Sequence, residues 1–247
     1  SLSLAQRERN EGGYTFYGNL WAHHRARNPS IAGQQRLERG QTEAQRGGAD
    51  VNLVNNVVYN WGERATHRST SGQIRVNLIA NCYIAGPDSA EPTIFSNDNP
   101  GQTLVYHRAN LLDATGNGRF DPEAAALDAF RDFAETGVLR GQQDGTPFAF
   151  FQSVAAQTVD ASTAYRLVIE QVGASLSRDA ADRRIVATVA TGGGALIDTP
   201  ESLRNQQGQL PGIDDLPTRS RPDDFDADGD GMPDDFEKAH QLNPNHP

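Results

Sequence analysis

The chain has 247 residues, enough for one large domain with appendages. Its formal net charge of -10 argues against nucleic acid as a partner, because nucleic-acid binders present basic faces. No apolar run approaches membrane-spanning length, so no membrane partner is expected, and the single cysteine, Cys82, excludes an intrachain disulfide. The charge is uneven: residues 1–75 sum to +4, with ten Arg and no Lys, whereas residues 212–237 sum to -8. A basic front on an acidic chain suggests an anionic ligand there, and the acidic tail suggests a cation.

Residues 1–13 are polar, and Tyr14-Thr15-Phe16-Tyr17-Gly18-Asn19-Leu20-Trp21 reads as a strand. It leads into Ala22-His23-His24-Arg25-Ala26-Arg27-Asn28-Pro29, where two imidazoles and two guanidiniums fall within five residues. On a continuing strand, Arg25 and Arg27 share one face and His24 the other. Paired guanidinium forks suit a carboxylate-bearing ligand, since they bind carboxylate in a bidentate way. The same residues also suit a solvated basic loop. Residues 32–50 lack apolar periodicity and read as a long loop.

Further strand segments follow over residues 51–62, 74–83 and 104–112, separated by polar loops, the first from Glu63 to Gly72. Cys82 lies inside one of them and reads as a buried, inert thiol. Each segment carries an asparagine followed by an apolar or aromatic pair: Asn19-Leu20-Trp21, Asn56-Val57-Val58, Asn81-Cys82-Tyr83 and Asn110-Leu111-Leu112. Supersecondary units recurring every 20–50 or so residues, with no helices between them, indicate a solenoid of strands, here an all-β parallel β-helix. Asparagines at equivalent corners can hydrogen-bond along the stack, although Asn is also an ordinary turn residue.

From residue 121 the character changes. Asp121-Pro122-Glu123 has the form of a helix start, with Leu127, Phe130 and Phe133 at helical spacing. Residues 160–174 and 179–190 also read as helices, the second capped by Asp179 and broken by Gly192-Gly193-Gly194. These helices are expected to cover the solenoid. The predicted organisation is β-helix rungs over 1–120, a helical extension over 121–197, an extended linker over 198–225 and a cation-binding tail over 226–247.

The tail runs Asp226-Ala227-Asp228-Gly229-Asp230-Gly231-Met232-Pro233-Asp234-Asp235-Phe236-Glu237. Oxygen ligands fall at positions one, three, five and nine of a calcium loop, glycine at six and glutamate at twelve. Asp226, Asp228, Asp230, Asp234 and Glu237 are therefore the expected Ca2+ ligands, with Met232 contributing its carbonyl. Asp113-Ala114-Thr115-Gly116-Asn117-Gly118-Arg119-Phe120-Asp121 resembles half of such a loop but has Ala124 in the closing position, and is read as a turn.

In order, the strand entering His23-His24-Arg25-Ala26-Arg27-Asn28-Pro29, the segment Asn55-Asn56-Val57-Val58-Tyr59-Asn60-Trp61-Gly62, the segment Asn77 to Pro87, and the stretch from Ala164 to Asp198 resemble bacterial pectate lyases of polysaccharide lyase family 1. The tail ending Asp228-Gly229-Asp230-Gly231-Met232-Pro233-Asp234 is similar to theirs as well. The resemblance covers most of the chain and is to the C-terminal portion of such an enzyme. It implies a right-handed parallel β-helix that cleaves polygalacturonate by calcium-assisted β-elimination. A base removes the proton on carbon 5 and the bond at carbon 4 breaks. The family's base is the arginine of an Arg-x-Pro motif, which is Arg27 here. Arg25 and His23 or His24 then bind substrate carboxylates.

This chain departs from the family pattern in two places. Ser30-Ile31-Ala32 lacks the arginine the family places after the proline, leaving Arg36 or Arg39 to reach that place. The family's helper lysine and catalytic calcium carboxylates fall upstream of the chain's start, so a missing N-terminal half is an expected partner and the chain alone is expected to show weak catalysis or none. The competing expectations are a non-catalytic β-helix that binds an acidic polysaccharide and a calcium-clamped structural solenoid. Export from the cell is expected from a polymeric substrate and a calcium tail.

Overall fold

The computed structural model describes residues 13–33, 40, 42, 48–97, 102–117, 119–125, 129–131, 137–140, 145–204, 208, 221, 222 and 224–246. It divides into two compact units, Ser1–Pro211 and Gly212–Pro247.

The first unit is mostly parallel strands with few helices. The chain enters along β1 (Gly13–Tyr17), β2 (Leu20–Ala22) and β3 (Ser30–Gly33), then repeats the course along β4 (Ala49–Val54), β5 (Val57–Tyr59) and the long β6 (Thr66–Ile79). It continues through β7 (Cys82–Ile84), β8 (Phe95–Ser96), β9 (Gln102–Arg108) and β10 (Leu111–Asp113). The series ends in β11 (Glu123–Ala124), β12 (Phe130–Arg131) and β13 (Gly137–Arg140).

Each round of the chain adds one strand to each of three ladders. The first ladder is β1, β4, the second half of β6, β9 and β13, all parallel. The second is β2, β5, β7 and β10, parallel, closed by antiparallel β11. The third is β3, the start of β6, β8 and β12.

The registers explain the asparagine spacing. Pairing partners from β1 to β9 in the first ladder and from β2 to β10 in the second differ by the same 37, 25 and 29 residues that separate Asn19, Asn56, Asn81 and Asn110. The shortest interval belongs to the round in which β6 runs from the third ladder straight into the first without an intervening loop. Most of the polar stretch Glu63 to Gly72, read as a loop, is therefore strand, since β6 starts at Thr66, and Thr66 and His67 pair with Phe95 and Ser96. The loop expected over 32–50 is bounded by Gly33 and Ala49, and most of it lies outside the described residues.

At the corner between the first two ladders, one left-handed residue turns the chain. Gly18, Asn55, Ala80 and Ala109 have φ of 67°, 56°, 52° and 53°, and each precedes a ladder asparagine. Asn56, Asn81 and Asn110 each accept, at one side-chain oxygen, both the backbone N–H and the side-chain amide of the asparagine one round earlier, over 2.9–3.0 Å. Corner amides that a parallel stack would otherwise leave buried and unpaired are thereby satisfied.

Alternation along the second ladder divides the apolar residues into two cores. Trp21, Val58 and Tyr83 point inward, to a core with Val51, Leu53, Ile74, Val76, Leu78, Ile94 and Phe95. Val57, Tyr59, Cys82 and Ile84 point outward, to a second core completed by Phe151, Val154, Ala161, Val168 and Val189. Helices α1 (Ala161–Gln171) and α2 (Ala180–Thr191) supply three of those covering residues. Both begin at the expected places: the Asp160 carboxylate accepts from Thr163 N–H and the Asp179 carboxylate from Asp182 N–H. Cys82 is buried, its thiol donates to Ala161 C=O at 3.1 Å, and burial pushes its pKa up to about 12.

The helix expected from Asp121 does not form in the described residues. Glu123–Ala124 pairs with β10, and Phe130 pairs with Phe95 and joins the inner core. The stacked strands offer Phe130 a buried seat and ladder bonds at once, which outweighs a weak local preference for helix. Leu127 and Phe133 lie outside the described residues. The half calcium loop is a turn closed on itself: Asp113 accepts from the N–H groups of Thr115 and Asp121.

In the second unit, Asp226 accepts from the N–H groups of Gly229 and Gly231, and Gly231 takes φ 97° at the sixth loop position. A short helix, α3 (Asp234–Ala239), follows, with Asp234, Asp235 and Glu237 in its first turn. No helix among the described residues is long and apolar enough to cross a membrane.

Candidate functional site

The strand that carries the chain toward Arg25 ends at Ala22, and His23 turns out of it with φ 57°. Strand alternation therefore does not set the directions of Arg25 and Arg27. Residues 23–29 form a loop instead, laid in register on the loop one round later. His23 N–H donates to Tyr59 C=O, and the carbonyls of His24, Arg25 and Pro29 accept from the N–H groups of Gly62, Glu63 and His67. Asn28, buried, donates N–H to Ala65 C=O and its side-chain amide to Arg64 C=O, and its carbonyl accepts from Thr66 Oγ1. The backbone is thus pinned at nearly every residue while the side chains of Arg25 and Arg27 stay exposed. Gly62 permits the close approach: a Cβ there would meet Arg25 O at 2.9 Å and Arg25 Cα at 3.0 Å. Arg27 takes φ 71°, and the Asn28-Pro29 bond is cis. A left-handed backbone at a non-glycine residue costs about 1–2 kcal/mol, and such strain concentrates at functional sites.

The two imidazoles are placed differently from the two guanidiniums. Asp88 N–H donates to Asn60 Oδ1, which fixes that amide and turns its Nδ2 toward His23 Nδ1 at 2.9 Å. His23 Nδ1 must then accept, so Nε2 carries the proton and donates to Thr188 Oγ1 at 2.7 Å, which in turn donates to Ile185 C=O. The His23 ring also stands edge-on to Tyr59, with centroids 5.3 Å apart. Burial, followed by the Arg184 guanidinium, holds its pKa below the ordinary value against the pull of Asp88. His23 is thus a neutral brace between the loop and α2. His24 pairs Nδ1 with Asn28 Oδ1 at 3.0 Å, and burial lowers its pKa too.

Arg25 donates from Nη2 to Asp198 Oδ1 at 3.0 Å, with the two side chains 58% and 84% exposed. No carboxylate among the described residues meets Arg27, and Arg36 and Arg39 lie outside the described residues. The partners the sequence reading missed are Asn60, Asp88, Thr188 and Asp198. Only the glycine run Gly192-Gly193-Gly194, which lets the chain turn back over the loop, signalled them.

In the second unit, carboxylate oxygens of Asp226, Asp228 and Asp230 lie within 4.8 Å of one another. Asp228 Oδ2 and Glu237 Oε2 are buried and meet no hydrogen-bond donor. Burial, then the Asp228, Asp230, Asp234 and Asp226 carboxylates, push the Glu237 pKa above its ordinary value. Crowded, unpaired carboxylate oxygens of this kind fit a hard divalent cation. Asp234 instead gives Oδ1 to Ala227 N–H and stands 3.5 Å from Lys238 Nζ, and Met232 N–H donates to Asp230 Oδ1. Among the described residues no comparable carboxylate cluster stands at the 23–29 loop.

Three ladders of parallel strands carry a cationic Arg-x-Pro loop that is pinned through its backbone and leaves Arg25 and Arg27 exposed. No protein-family model matches the chain. Curated relatives do. The chain is 30% identical over 242 residues to "Probable pectate lyase C" of Neosartorya fischeri, 95% of this chain and 49% of that protein. It is 30% identical over 244 residues to the protein of the same name from Aspergillus fumigatus, with the same two shares. The Aspergillus flavus protein of that name is 28% identical over 239 residues, again with the same shares. The resemblance to pectate lyases read from the sequence is thereby borne out. The chain spans about half the length of the curated relatives it matches.

Proposed function

We propose that this chain is the Arg-x-Pro portion of a secreted polysaccharide lyase that cleaves pectate by β-elimination, built on a right-handed parallel β-helix. The observation that carries the reading is the 23–29 loop, backbone-pinned to its neighbour, strained at Arg27 and presenting Arg25 and Arg27 to solvent. The relatives' names supply the substrate class. The three ladders, visited in constant order, support the helix, and parallel crossovers are right-handed in nearly all proteins.

In this reading Arg25 binds a uronate carboxylate and offsets the charge that develops beside carbon 5 as its proton leaves. Arg27 stands where the family's Arg-x-Pro motif places the base, and the proton on carbon 5 is assigned to it; a guanidinium is ordinarily protonated, so this step requires its neutral form. The electron pair left on carbon 5 forms the double bond to carbon 4, and the glycosidic oxygen leaves carbon 4 with its bonding pair. His23 and His24 shape the loop around the substrate. The carboxylates described near the loop do not form a calcium ligand set; the calcium assistance in this reading rests on the resemblance to pectate lyases. In the tail, Asp226, Asp228, Asp230 and Glu237 fit Ca2+, which would fold and cross-link the acidic loop.

The test is ultraviolet absorbance of the unsaturated uronate when the chain is mixed with polygalacturonate and calcium. A rise that stops on adding chelator is the expected result. A flat trace from folded protein that still binds polygalacturonate would replace the lyase reading with a non-catalytic acidic-polysaccharide-binding β-helix.

A further inference from the structure

The segment that follows α2 lies directly over the candidate loop, anchored at successive points. Gly192 ends the helix with φ 67°. Gly193 C=O accepts the Tyr59 hydroxyl at 2.6 Å. Gly194, at φ 87°, lies so close to the His23 ring that a Cβ would stand 2.5 Å from Cε1. Leu196 donates N–H to Asp88 Oδ2 at 2.7 Å and sets its side chain against Gly62. This strap delivers Asp198 to Arg25.

The end of the strap differs in kind from its anchors. The anchors are backbone groups and glycines, held against the buried Tyr59 and Gly62, the half-buried His23 and the exposed Asp88. The Arg25–Asp198 contact is one hydrogen bond between two exposed side chains, using one nitrogen of a fork that can hold a carboxylate with two. Exposed ion pairs contribute at most about 1 kcal/mol and weaken with salt, so this one is easily displaced. The group it places on Arg25 is also the group a uronate residue would bring.

We propose that Asp198 is an internal competitor for the substrate carboxylate at Arg25, held in place by the Gly192–Leu196 strap. The proposal rests on the reading of Arg25 as a uronate-binding residue. A uronate chain must displace Asp198 to reach the guanidinium, so the strap sets a threshold that favours long polymers, with several carboxylates, over single sugar acids.

The test is calorimetric binding of trigalacturonate to the 247-residue chain in chelator, where turnover is suppressed. Asp198→Asn keeps the size of the side chain and removes its charge, and at a mostly exposed position it leaves the fold intact. Binding should tighten by about two- to fivefold, with the gain shrinking as salt is added. In an Arg25→Gln background the effect of Asp198→Asn should vanish, because the competitor then has nothing to occupy. Unchanged or weaker binding by Asp198→Asn, with Arg25→Gln still weaker than the parent, would overturn the competitor role and leave the Arg25 reading standing. Equal binding by the parent and Arg25→Gln would overturn both.

Discussion

Asn81 is buried at the centre of the asparagine stack. Its Oδ1 accepts from Asn56 N–H and Nδ2, and its own amide donates to Leu53 C=O, Ile79 C=O and Asn110 Oδ1. Asn81→Ala strands several buried donors and acceptors and opens a small void, so unfolding free energy should fall by about 2–4 kcal/mol. Asn19, partly exposed at the head of the stack, should cost under about 1 kcal/mol as alanine. Urea unfolding of both variants decides the matter, with a shifted midpoint and unchanged slope expected for Asn81→Ala. Equal shifts would mean that the stack is not a cooperative brace. The asparagine pattern was legible in the sequence because identical corners recur, whereas the left-handed residue before each one was not. Gly18, Asn55, Ala80 and Ala109 share only a backbone state.

His23 adds a pH dependence at the same scale. Its folded pKa lies below the ordinary 6.5 because burial and Arg184 disfavour the imidazolium. The unfolded chain therefore binds the proton more readily, and stability is full above about pH 6.5 and is lost as pH falls through the folded value. His24 acts in the same direction. Melting temperature should fall between pH 7 and 5, and a His23→Gln variant should show a smaller fall over that interval. An identical fall in both would remove His23 from the account.

Among the elements, α1 was readable from its apolar spacing and α2 from its apolar spacing and its Asp179 cap. Glu123–Ala124 and Phe130–Arg131 were not, because strands of two residues carry no periodicity and owe their form to the ladders they join. The 23–29 loop was found by its composition but left open between a strand and a solvated basic loop, and the strap over it was read as packing and linker. Nothing in Leu196 or Asp198 taken alone announces partners 108 and 173 positions earlier. The tail loop, by contrast, is local and its ligand spacing is written in the sequence. Calcium titration by calorimetry should show a site that Asp226→Ala weakens by about tenfold or more, since loop affinity follows ligand charge count. Equal calcium binding by the variant would mean that the site lies elsewhere.

At the scale of the whole molecule, the repeat spacing pointed to stacked parallel strands because the interval between asparagines is the register of the first two ladders. The function is less local. It depends on a loop that two further rounds of strand and a helical cover hold in shape, and on relatives about twice as long as this chain. The account turns on Arg27 as the residue that removes the proton. The deciding measurement is formation of unsaturated product from polygalacturonate, with calcium present, by the parent chain and by Arg27→Ala at matched stability. The account predicts a steady ultraviolet rise for the parent and its loss by at least about a hundredfold in the variant. An unchanged rate in Arg27→Ala would contradict it and move the chemistry away from this loop.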